Sequence, residues 1–499
     1  MPTCVIDHLS VDAPEGSTIL QAAEIAGIAI PHLCYLKGIE PQTSCLVCVV
    51  RVNGGGRLVP ACATRITQGM VIESSTPEVR QARKTALELL LSEHAGECFA
   101  PCSQVCPAHL DIPEMIRHMR EGRLDLAAQI AREALVLPAT LGYICPGLCE
   151  KGCRRGSADA SVSICQMHRY VAMRDLESGH PWLPKKAAST GKRIAIIGSG
   201  PAGLAAAWEL LKLGHACTLF DAKALPGGTL RYGLEEGKLP ASVLDSEIAL
   251  LAAMGAEFRM GIEIGRDMTL QSLRGEFDAV AITQGKPADI SGVFASVSAA
   301  SARPHAVQAV ADGKELAQMV AAFVQGKPHA SHRRFAVRLG AMSEREMTQF
   351  MSGGQTHPRA IVTPDAGGLS PQQADEEAGR CMLCGCGSTD SCALRRYAVE
   401  YDAQPSHYRG ERREVRTIQT HPDLVFEEGK CIACGLCIAV AKKAGEPYGL
   451  SFVGRGFQTH VAAPLGRELG DALTLAAQDA ANACPTGAIH RRDRNQRVP

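Results

Sequence analysis

The chain is 499 residues long and carries 52 basic and 52 acidic residues, so its formal net charge of zero predicts no binding to nucleic acid or to anionic membranes. Its hydrophobic content of 46% is enough for several folded cores, whereas 4% aromatic residues provide few surfaces for stacking on bases. The first residues do not show a basic region followed by an apolar segment, and no run of about 18 apolar residues could span a bilayer. We therefore expect a multidomain cytoplasmic protein without a transmembrane segment.

The 21 cysteines are too many for a cytosolic protein that has no use for them. A reducing compartment disfavours disulfides, and these cysteines fall in short-spaced groups, which is typical of thiolate ligands to zinc or to iron–sulfur clusters. The groups flank a nucleotide-binding motif, and zinc carries no redox chemistry. We therefore favour iron–sulfur clusters for the set and keep zinc as the alternative for any single group.

Residues 1–78 contain an alternating strand at Thr3–Ile6, a helical stretch at Thr18–Ala26 and then four spaced cysteines. The C-x2-C pair places two thiols on one loop around a metal, and the outer two close the site. The four candidate ligands are Cys34, Cys45, Cys48 and Cys62. The segment resembles the N-terminal [2Fe–2S] domain of the NADH dehydrogenase large subunit, of iron-only hydrogenases and of formate dehydrogenases. This resemblance implies a β-grasp domain, while Cys4 lies outside the pattern and is predicted to be a packed or surface thiol.

Residues 79–180 begin with a charged amphipathic helix, Val79–Glu93, and continue with two cysteine runs joined by helical stretches. The arrangement resembles the N-terminal iron–sulfur domain of the glutamate synthase small subunit and of dihydropyrimidine dehydrogenase. The resemblance implies an α-helical domain that binds two [4Fe–4S] clusters through interleaved ligands. It gives one cluster the ligands His94, Cys98, Cys102 and Cys153, and the other Cys106, Cys145, Cys149 and one residue further along.

Two positions in this helical region depart from the family pattern. His94 stands where the family has a cysteine, and a neutral imidazole ligand would raise the reduction potential of a cluster. The last ligand of the family aligns with His168, whereas Cys165 lies one helical turn earlier and is the softer donor. We prefer Cys165 and keep His168 as the alternative.

Residues 193–221 predict a nucleotide-binding βαβ unit. The strand Arg193–Ile197 leads into Gly198-x-Gly200-x-x-Gly203, a helix follows, and the second strand, Ala216–Phe220, ends at Asp221. The glycines permit a tight turn, the approach of a pyrophosphate to the backbone and close helix–strand packing, and Asp221 is placed to accept from a ribose hydroxyl. The predicted cofactor-binding residues of this unit are Gly198, Gly200, Pro201, Ala202, Gly203 and Asp221.

The stretch Gly227–Gly233, with the sequence GGTLRYG, resembles the GGxLxYG stretch of the glutamate synthase family, whose backbone borders the flavin. The resemblance favours FAD over NAD and implies a Rossmann-like FAD domain over residues 193–350. It adds Gly228, Arg231 and Asp312 to the cofactor-binding residues. The related reductases insert a second dinucleotide fold for NADPH, but here Pro287–Gln308 has no glycine fingerprint. We therefore expect a chain that holds flavin and cannot accept hydride from a nicotinamide by itself.

Residues 372–499 contain two further cysteine runs. The first supplies four thiols within twelve residues, enough for another [4Fe–4S] cluster, with zinc as the alternative because of its short middle spacing. The second is a C-x2-C-x2-C run with a remote Cys-Pro, the pattern of a ferredoxin-like [4Fe–4S] site. The two candidate sets are Cys381, Cys384, Cys386 and Cys392, and Cys431, Cys434, Cys437 and Cys484. Between Cys437 and Cys484, the stretches Gly454–Phe457 and Val461–Pro464 resemble the NADH dehydrogenase large subunit, which makes the chain resemble a fusion of two families.

The series of clusters and one flavin predicts an electron-transfer subunit of a cytoplasmic multisubunit oxidoreductase, because no pattern for substrate catalysis is present. The expected partners are a catalytic subunit, with a molybdenum or tungsten formate dehydrogenase preferred, and an NADH-binding flavoprotein or a ferredoxin. One alternative is a stand-alone NADPH-dependent flavin reductase like the glutamate synthase small subunit. Another is a non-enzymatic assembly scaffold.

Overall fold

The computed structural model describes residues 1–283, 289–296, 305–329, 335–351, 354–362, 367–408, 410–412 and 414–491. Parts of the Pro287–Gln308 stretch lie outside these residues. No helix within the described ranges has the length and apolar character needed to cross a membrane.

The described chain contains both strands and helices. The strands are β1 (Thr3–Ile6), β2 (Leu9–Asp12), β3 (Val49–Val52), β4 (Leu58–Pro60), β5 (Val71–Glu73), β6 (Arg193–Ile197), β7 (Ala216–Asp221), β8 (Glu257–Met260), β9 (Ala279–Ile282), β10 (Val293–Ala295), β11 (Thr417–Ile418), β12 (Leu424–Glu427), β13 (Ser451–Val453), β14 (His460–Ala462) and β15 (Ile489–Arg491). The helices are α1 (Ile19–Ile25), α2 (Pro77–Glu93), α3 (Pro101–Val105), α4 (Ile112–Arg120), α5 (Leu124–Leu135), α6 (Pro138–Ile144), α7 (Leu148–Lys151), α8 (Ile164–Glu177), α9 (Pro201–Lys212), α10 (Thr229–Tyr232), α11 (Ala241–Ala253), α12 (Leu270–Glu276), α13 (Ala306–Val324), α14 (Glu344–Met351), α15 (Pro371–Arg380), α16 (Ala393–Glu400), α17 (Leu436–Ala444), α18 (Leu469–Ala472) and α19 (Ala477–Ala483).

The chain divides into two compact units that are interleaved in sequence. Unit 1 comprises Met1–Phe99, Arg334–Gln349 and Gly385–Pro499, and unit 2 comprises Ala100–Arg333 and Phe350–Cys384. Unit 2 is therefore inserted into the sequence of unit 1. The predicted C-terminal region, residues 372–499, contributes to both units.

The described part of unit 1 contains three small sheets, one of which is the two-stranded pair of β13 and β14. Its N-terminal sheet has the order β2-β1-β5-β3-β4, with β1 and β5 parallel and the other pairs antiparallel. Helix α1 begins with a capping box at Thr18 and buries its apolar face against this sheet, whose core includes Cys4. In the C-terminal part of unit 1, β12 pairs with β11 and β15, and helices α17 and α19 pack beside them.

Unit 2 is built on a five-stranded parallel sheet with the order β10-β9-β6-β7-β8. The β-branched strand β6 lies at its centre, as the sequence predicts for a buried parallel strand. Strand β10 was not predicted, because three residues in an Ala- and Ser-rich stretch give no periodic signal. Helix α13 begins at Ala306, so Asp312 lies inside a helix.

The helical segment α3–α8 packs onto this sheet domain within unit 2. Arg132 is fully buried and pairs with Asp175 at 2.8 Å and with Glu247 of α11 at 3.4 Å. Glu247 also accepts hydrogen bonds from the amides of Ala139 and Thr140 at the start of α6. These bonds satisfy the buried charges and fix the helical segment against α11.

Candidate cofactor sites

The N-terminal thiol site lies at one end of the β3–β4 hairpin. Cys48 precedes β3 and Cys62 lies two residues beyond β4, so the antiparallel pairing brings them to the same end. The Sγ atoms of Cys34 and Cys45 are 3.3 Å apart, and the Cys62 thiol hydrogen-bonds to those of Cys34 and Cys48. Hydrogen bonds with Cys45 and Cys62 lower the pKa of the Cys34 thiol. The structure thus places the four predicted [2Fe–2S] ligands together, all of them buried.

The C-terminal thiol site lies at one end of the antiparallel pair of β12 and β15. Cys431, Cys434, Cys437 and Cys484 line one cavity. Burial raises the pKa of the Cys434 thiol, and the neighbouring Cys484 and Cys431 thiols add to this effect. The C-x2-C turn holds Ala433 at φ +51°, and the Ala433 amide donates to the Cys431 Sγ atom at 3.4 Å. The four predicted ferredoxin ligands are therefore together.

A third thiol site lies in unit 2, where α3, α6, α7 and α8 converge. The Cys165 thiol hydrogen-bonds with those of Cys145 and Cys149, and the Cys106 thiol lies close to Cys145. His168 instead places its Nδ1 atom 2.9 Å from the carbonyl oxygen of Pro138. Of the two predicted alternatives, Cys165 is the one that shares the site with the other three thiols.

The remaining thiols group differently from the sequence-based assignment. In unit 2, burial raises the pKa of Cys102 well above its usual value, and the nearby thiols Cys381, Cys384 and Cys153 raise it further. In unit 1, Cys386 and Cys392 lie close to Cys98. Both predicted sets, the one with Cys98 and Cys102 and the one with Cys384 and Cys386, are therefore divided between two sites, one in each unit.

His94, the predicted histidine ligand, ends helix α2 in unit 1. Burial and the charge of Lys430 lower its pKa to about 4, so the imidazole is neutral near pH 7. Its Nδ1 atom is buried without a hydrogen-bond partner among the described residues. A neutral imidazole with an open nitrogen fits the role of a metal ligand, and the assignment remains a prediction.

No disulfide joins any of the 21 cysteines, all of which lie in the described ranges. Cys4 and Cys217 are buried in the hydrophobic cores, and burial raises the pKa of Cys217 to about 12. Across the described residues, no three His, Cys, Asp or Glu side chains converge tightly enough to hold a single metal ion.

Arginines hold the Cys381–Cys384 loop, and sequence analysis did not identify them. The Arg120 guanidinium donates to the carbonyl oxygens of Ala378, Gly379 and Cys381. Arg155 donates to the carbonyl oxygen of Arg380. The side chains of Arg155 and Arg380 are about 1% exposed. The only sequence signal for this network is the position of Arg380 directly before Cys381.

The glycine turn after β6 has the geometry of a dinucleotide site. Gly198 has φ +101°, and a Cβ atom on Gly203 would lie 1.9 Å from the Gly198 carbonyl oxygen. Gly200 precedes helix α9, and no side chain caps the first turn of that helix. The amides at this helix N-terminus can therefore bind a pyrophosphate, with Pro201 and Ala202 forming its first turn.

Asp221 is 8% exposed and orders this turn. Its Oδ2 atom accepts hydrogen bonds from the amide and hydroxyl of Ser199 at 2.8 and 2.7 Å. The Ser199 carbonyl oxygen in turn accepts from the Gly227 amide at 3.0 Å. The predicted contact between Asp221 and a ribose hydroxyl remains a prediction, but the residue is in the expected place at the end of β7.

The remaining predicted cofactor residues lie around the same turn or on α13. Gly228 has φ +50° and precedes α10, and Arg231 donates from Nε to the Pro226 carbonyl oxygen at 2.8 Å. On α13, Asp312 accepts from the Gln308 side chain at 2.9 Å. The next residue, Gly313, approaches so closely that its Cβ would lie 2.1 Å from the Ala202 carbonyl oxygen.

Four family models match separate parts of the chain. Residues 3–77 match a 2Fe-2S iron–sulfur cluster binding domain, and residues 78–180 match dihydropyrimidine dehydrogenase domain II, 4Fe-4S cluster. Residues 196–255 match an NAD(P)-binding Rossmann-like domain, and residues 424–491 match a 4Fe-4S single cluster domain. These matches confirm the predicted [2Fe–2S], [4Fe–4S] and Rossmann-like domains.

Among curated proteins, the chain is 36% identical over 207 residues to the NADP(+)-dependent formate dehydrogenase subunit beta of Moorella thermoacetica, which covers 37% of this chain and 29% of that protein. It is 38% identical over 203 residues to the NAD-dependent dihydropyrimidine dehydrogenase subunit PreT of Escherichia coli O157:H7, covering 40% and 49%. A third relative is the NADPH-Fe(3+) oxidoreductase subunit beta of Geobacter sulfurreducens, 36% identical over 203 residues and covering 39% and 30%. The chain thus spans less than half the length of these relatives, and they agree with the predicted oxidoreductase and electron-transfer class.

Proposed function

We propose that the chain is an electron-transfer subunit of a multisubunit oxidoreductase. It would carry one [2Fe–2S] cluster, three to four [4Fe–4S] clusters and FAD. Its proposed partners are a formate dehydrogenase-type catalytic subunit with molybdenum or tungsten, and an NADH-binding flavoprotein or a ferredoxin. The matches to formate dehydrogenase and NADPH-Fe(3+) oxidoreductase subunits support this proposal.

The observation that carries the proposal is the adjacency of thiol sites in unit 1. The Cys34 thiol of the N-terminal site lies close enough to Cys434 to raise its pKa. The Ser44 hydroxyl donates to the Cys434 carbonyl oxygen at 3.5 Å. Cys98 and Cys392 pack in the same apolar cluster as Cys34 and Cys434. Neighbouring redox centres in an apolar surrounding are what stepwise one-electron transfer requires.

Unit 2 has its own pair of neighbouring centres. Cys102 and Cys106 lie at the two ends of the short helix α3, and the Cys106 amide donates to the Cys102 carbonyl oxygen at 3.2 Å. Both cysteines belong to the hydrophobic core that also contains the Rossmann strand residues Ile194 and Ile196. The glycine turn would hold FAD by its pyrophosphate, and a flavin converts between two-electron and one-electron transfer.

The protein's own contribution is to bury the ligands, orient them and exclude water. An open cavity of about 590 Å³ borders Cys153 and is lined by Lys151, Arg154 and Arg359, and by Glu150, which pairs with Arg359 at 2.5 Å and leaves the other two charges unbalanced within the lining. Such a basic opening beside a cluster ligand suits the approach of an acidic redox partner. We also propose a cytoplasmic location, because clustered reduced thiols need a reducing compartment.

The division of the chain supports a fusion of two modules. Unit 1 contains the parts that resemble the NADH dehydrogenase large subunit. Unit 2 contains most of the parts that resemble the glutamate synthase small subunit without its NADPH-binding domain, but residues 79–99 of that resemblance belong to unit 1. The two sequence junctions each have a candidate ligand on either side, Cys98 and Cys102 at the first and Cys384 and Cys386 at the second.

A second candidate function follows from the match of residues 196–255 to an NAD(P)-binding model. In that case the Rossmann turn holds a nicotinamide nucleotide, and the chain is a reductase that oxidises NADPH by itself. The two candidates are separated by anaerobic reduction of the purified full-length chain. The relay predicts bound FAD, bleaching of cluster absorbance by dithionite, and no reduction by NADPH or NADH alone. Stoichiometric NADPH oxidation by the isolated chain would establish the reductase instead.

Replacing Gly200 with leucine should strip FAD and leave the iron content unchanged, because the side chain would fill the space of the pyrophosphate. Released flavin and iron are measured per chain in the purified variant. The matched control is G275L in the same unit, since a Cβ atom added at Gly275 would meet no other atom within 4 Å. Full flavin occupancy in G200L would contradict the assignment of this turn.

A further inference from the structure

We infer that Cys102, Cys153, Cys381 and Cys384 are the four thiolate ligands of one [4Fe–4S] cluster in unit 2. The run from Cys381 to Cys392 then serves two clusters, with its first two cysteines bound to one and its last two to another. On ligation each thiol loses its proton and each thiolate bonds one iron atom.

The first two ligands meet because the end of α7, at Gly152, contributes no side chain to its contact with α3. A Cβ atom on Gly152 would lie 2.5 Å from the Val105 side chain and 3.3 Å from the Pro101 carbonyl oxygen. Only glycine permits this approach, and the next residue is Cys153. Cys153 is therefore held beside the helix that carries Cys102, and both thiols lie near Cys381.

The other two ligands occupy a turn with the geometry of the ferredoxin turn. Leu383 has φ +48°, and its amide donates to the Cys381 Sγ atom at 3.4 Å. Ala433 has φ +51°, and its amide donates to the Cys431 Sγ atom at the same distance. A leucine in the left-handed region is uncommon, and an amide aimed at sulfur stabilises a thiolate. The Cys381–Cys384 turn is thus shaped as a ligand loop.

The loop is fixed in place by side chains of unit 2. Arg120 donates to the Ala378 and Gly379 carbonyl oxygens at 2.8 Å and also to that of Cys381. Arg380 donates to the carbonyl oxygens of Ala160 at 2.6 Å and Ser161 at 3.2 Å. These hydrogen bonds satisfy backbone carbonyl groups of the loop and of the segment beside it. They hold the loop in the position where its two thiols lie near Cys102 and Cys153.

The residues that follow Cys384 form hydrogen bonds with unit 1, as expected if the cysteine run is divided between two clusters. The Cys386 amide donates to the Cys98 carbonyl oxygen at 3.4 Å, and the Thr389 hydroxyl donates to the same oxygen at 2.9 Å. Cys392 lies near Cys98 and Cys386. These three cysteines belong to unit 1 and form the core of a separate site.

Iron counts in paired variants of the full-length chain test this partition. If two cysteines bind the same cluster, replacing both should remove no more iron than replacing either one alone. We expect C153A/C384A to lose about four iron atoms per chain and C384A/C392A to lose about eight. Iron and acid-labile sulfide are measured per chain in anaerobically purified protein. A loss of about eight in C153A/C384A and about four in C384A/C392A would overturn the partition and restore the sequence-based grouping.

Milder variants keep the inference testable if the alanine variants do not fold. Serine retains an oxygen ligand, so C153S and C384S should shift the g-values of the same signal in the electron paramagnetic resonance spectrum of the dithionite-reduced chain. C392S should shift a different signal, and C217A, which alters a buried cysteine outside every site, should shift none. If C384S and C392S change one common signal that C153S leaves alone, the inference is wrong.

Discussion

The two C-x2-C turns at Cys381–Cys384 and Cys431–Cys434 share a local conformation but differ in how their sites are completed. Each turn has one residue in the left-handed region and one amide aimed at the first sulfur. The other two thiols of the Cys431 site are Cys437, three residues after Cys434, and Cys484, which lies shortly before β15. The Cys381 turn meets Cys102 and Cys153, which lie far earlier in the chain.

This difference shows what short-range spacing specifies. Two residues between cysteines determine a turn that can hold two thiolates, and the surrounding fold determines which other thiols complete the site. In the ferredoxin-like part, the strands β12 and β15 supply the fold locally. In unit 2, Arg120, Arg155 and Arg380 fasten a distant segment against the helices.

The largest effect is expected from removing Arg380. Its side chain is 1% exposed and pairs with the buried Glu377 at 2.8 Å, so R380A leaves a buried carboxylate without its cation. We expect a loss of about 3–5 kcal/mol in the stability of unit 2. The Cys431 site does not depend on Arg380, so R380A should retain the cluster of that site. Thermal unfolding and iron content of the purified variant measure both effects.

The control for this prediction is R396A, which removes an exposed arginine from α16. We expect its stability to change by no more than about 0.5 kcal/mol. Equal losses in R380A and R396A would show that the arginine network does not hold the loop.

A smaller effect separates Cys165 from His168, two candidates one helical turn apart on α8. Burial lowers the pKa of His168 to about 4 from its usual 6.5. A group with a depressed pKa stabilises the fold above its ordinary pKa, and this stability is lost as the pH falls toward the folded-state value. From about pH 7.5 to about pH 5.5, the loss should be about 1 kcal/mol.

The variant H168N should keep its iron and lose about 1 kcal/mol of this pH dependence, because its amide can donate to the Pro138 carbonyl oxygen without titrating. C165A should instead lose a cluster. Unfolding free energy at the two pH values and iron content are the measurements. Loss of about four iron atoms in H168N would assign the ligand role to the histidine.

The smallest effect tests the shared turn conformation. A433G should raise stability by about 0.5–1 kcal/mol, because glycine adopts the left-handed region without the cost of a Cβ atom. L383G should gain less, because Leu383 also packs against the apolar core of unit 2. The control A439G lies inside α17, where glycine should lower stability by about 0.5–1 kcal/mol. A change of the same sign in A433G and A439G would contradict the turn assignment.

Sequence reasoning located the regular elements where the apolar pattern was strong. The strands Thr3–Ile6 and Arg193–Ile197 have the predicted bounds. Strand β10 was missed because it forms by pairing with β9 and carries little pattern of its own. The start of α13 was missed because its first two turns, from Ala306, fall in an Ala-rich stretch that resembles a loop.

The candidate sites were predictable to the extent that their ligands are local or were carried by a full family pattern. In the structure, the thiols of the sets ending at Cys62 and Cys484 and of the set with Cys106 lie together. Cys98 and Cys102 lie in different units, because the boundary between the units falls between them. The spacing of the cysteines does not indicate where the chain passes from one unit to the other. The residues that hold the Cys381–Cys384 loop in unit 2 are arginines scattered along the sequence.

The most direct test of the contrast between the two turns compares two neighbouring-cysteine variants of the full-length chain. C431A/C434A removes two ligands of one site, whereas C384A/C386A removes one ligand from each of two sites. We expect losses of about four and about eight iron atoms per chain, respectively. A loss of about four in both variants would contradict the account.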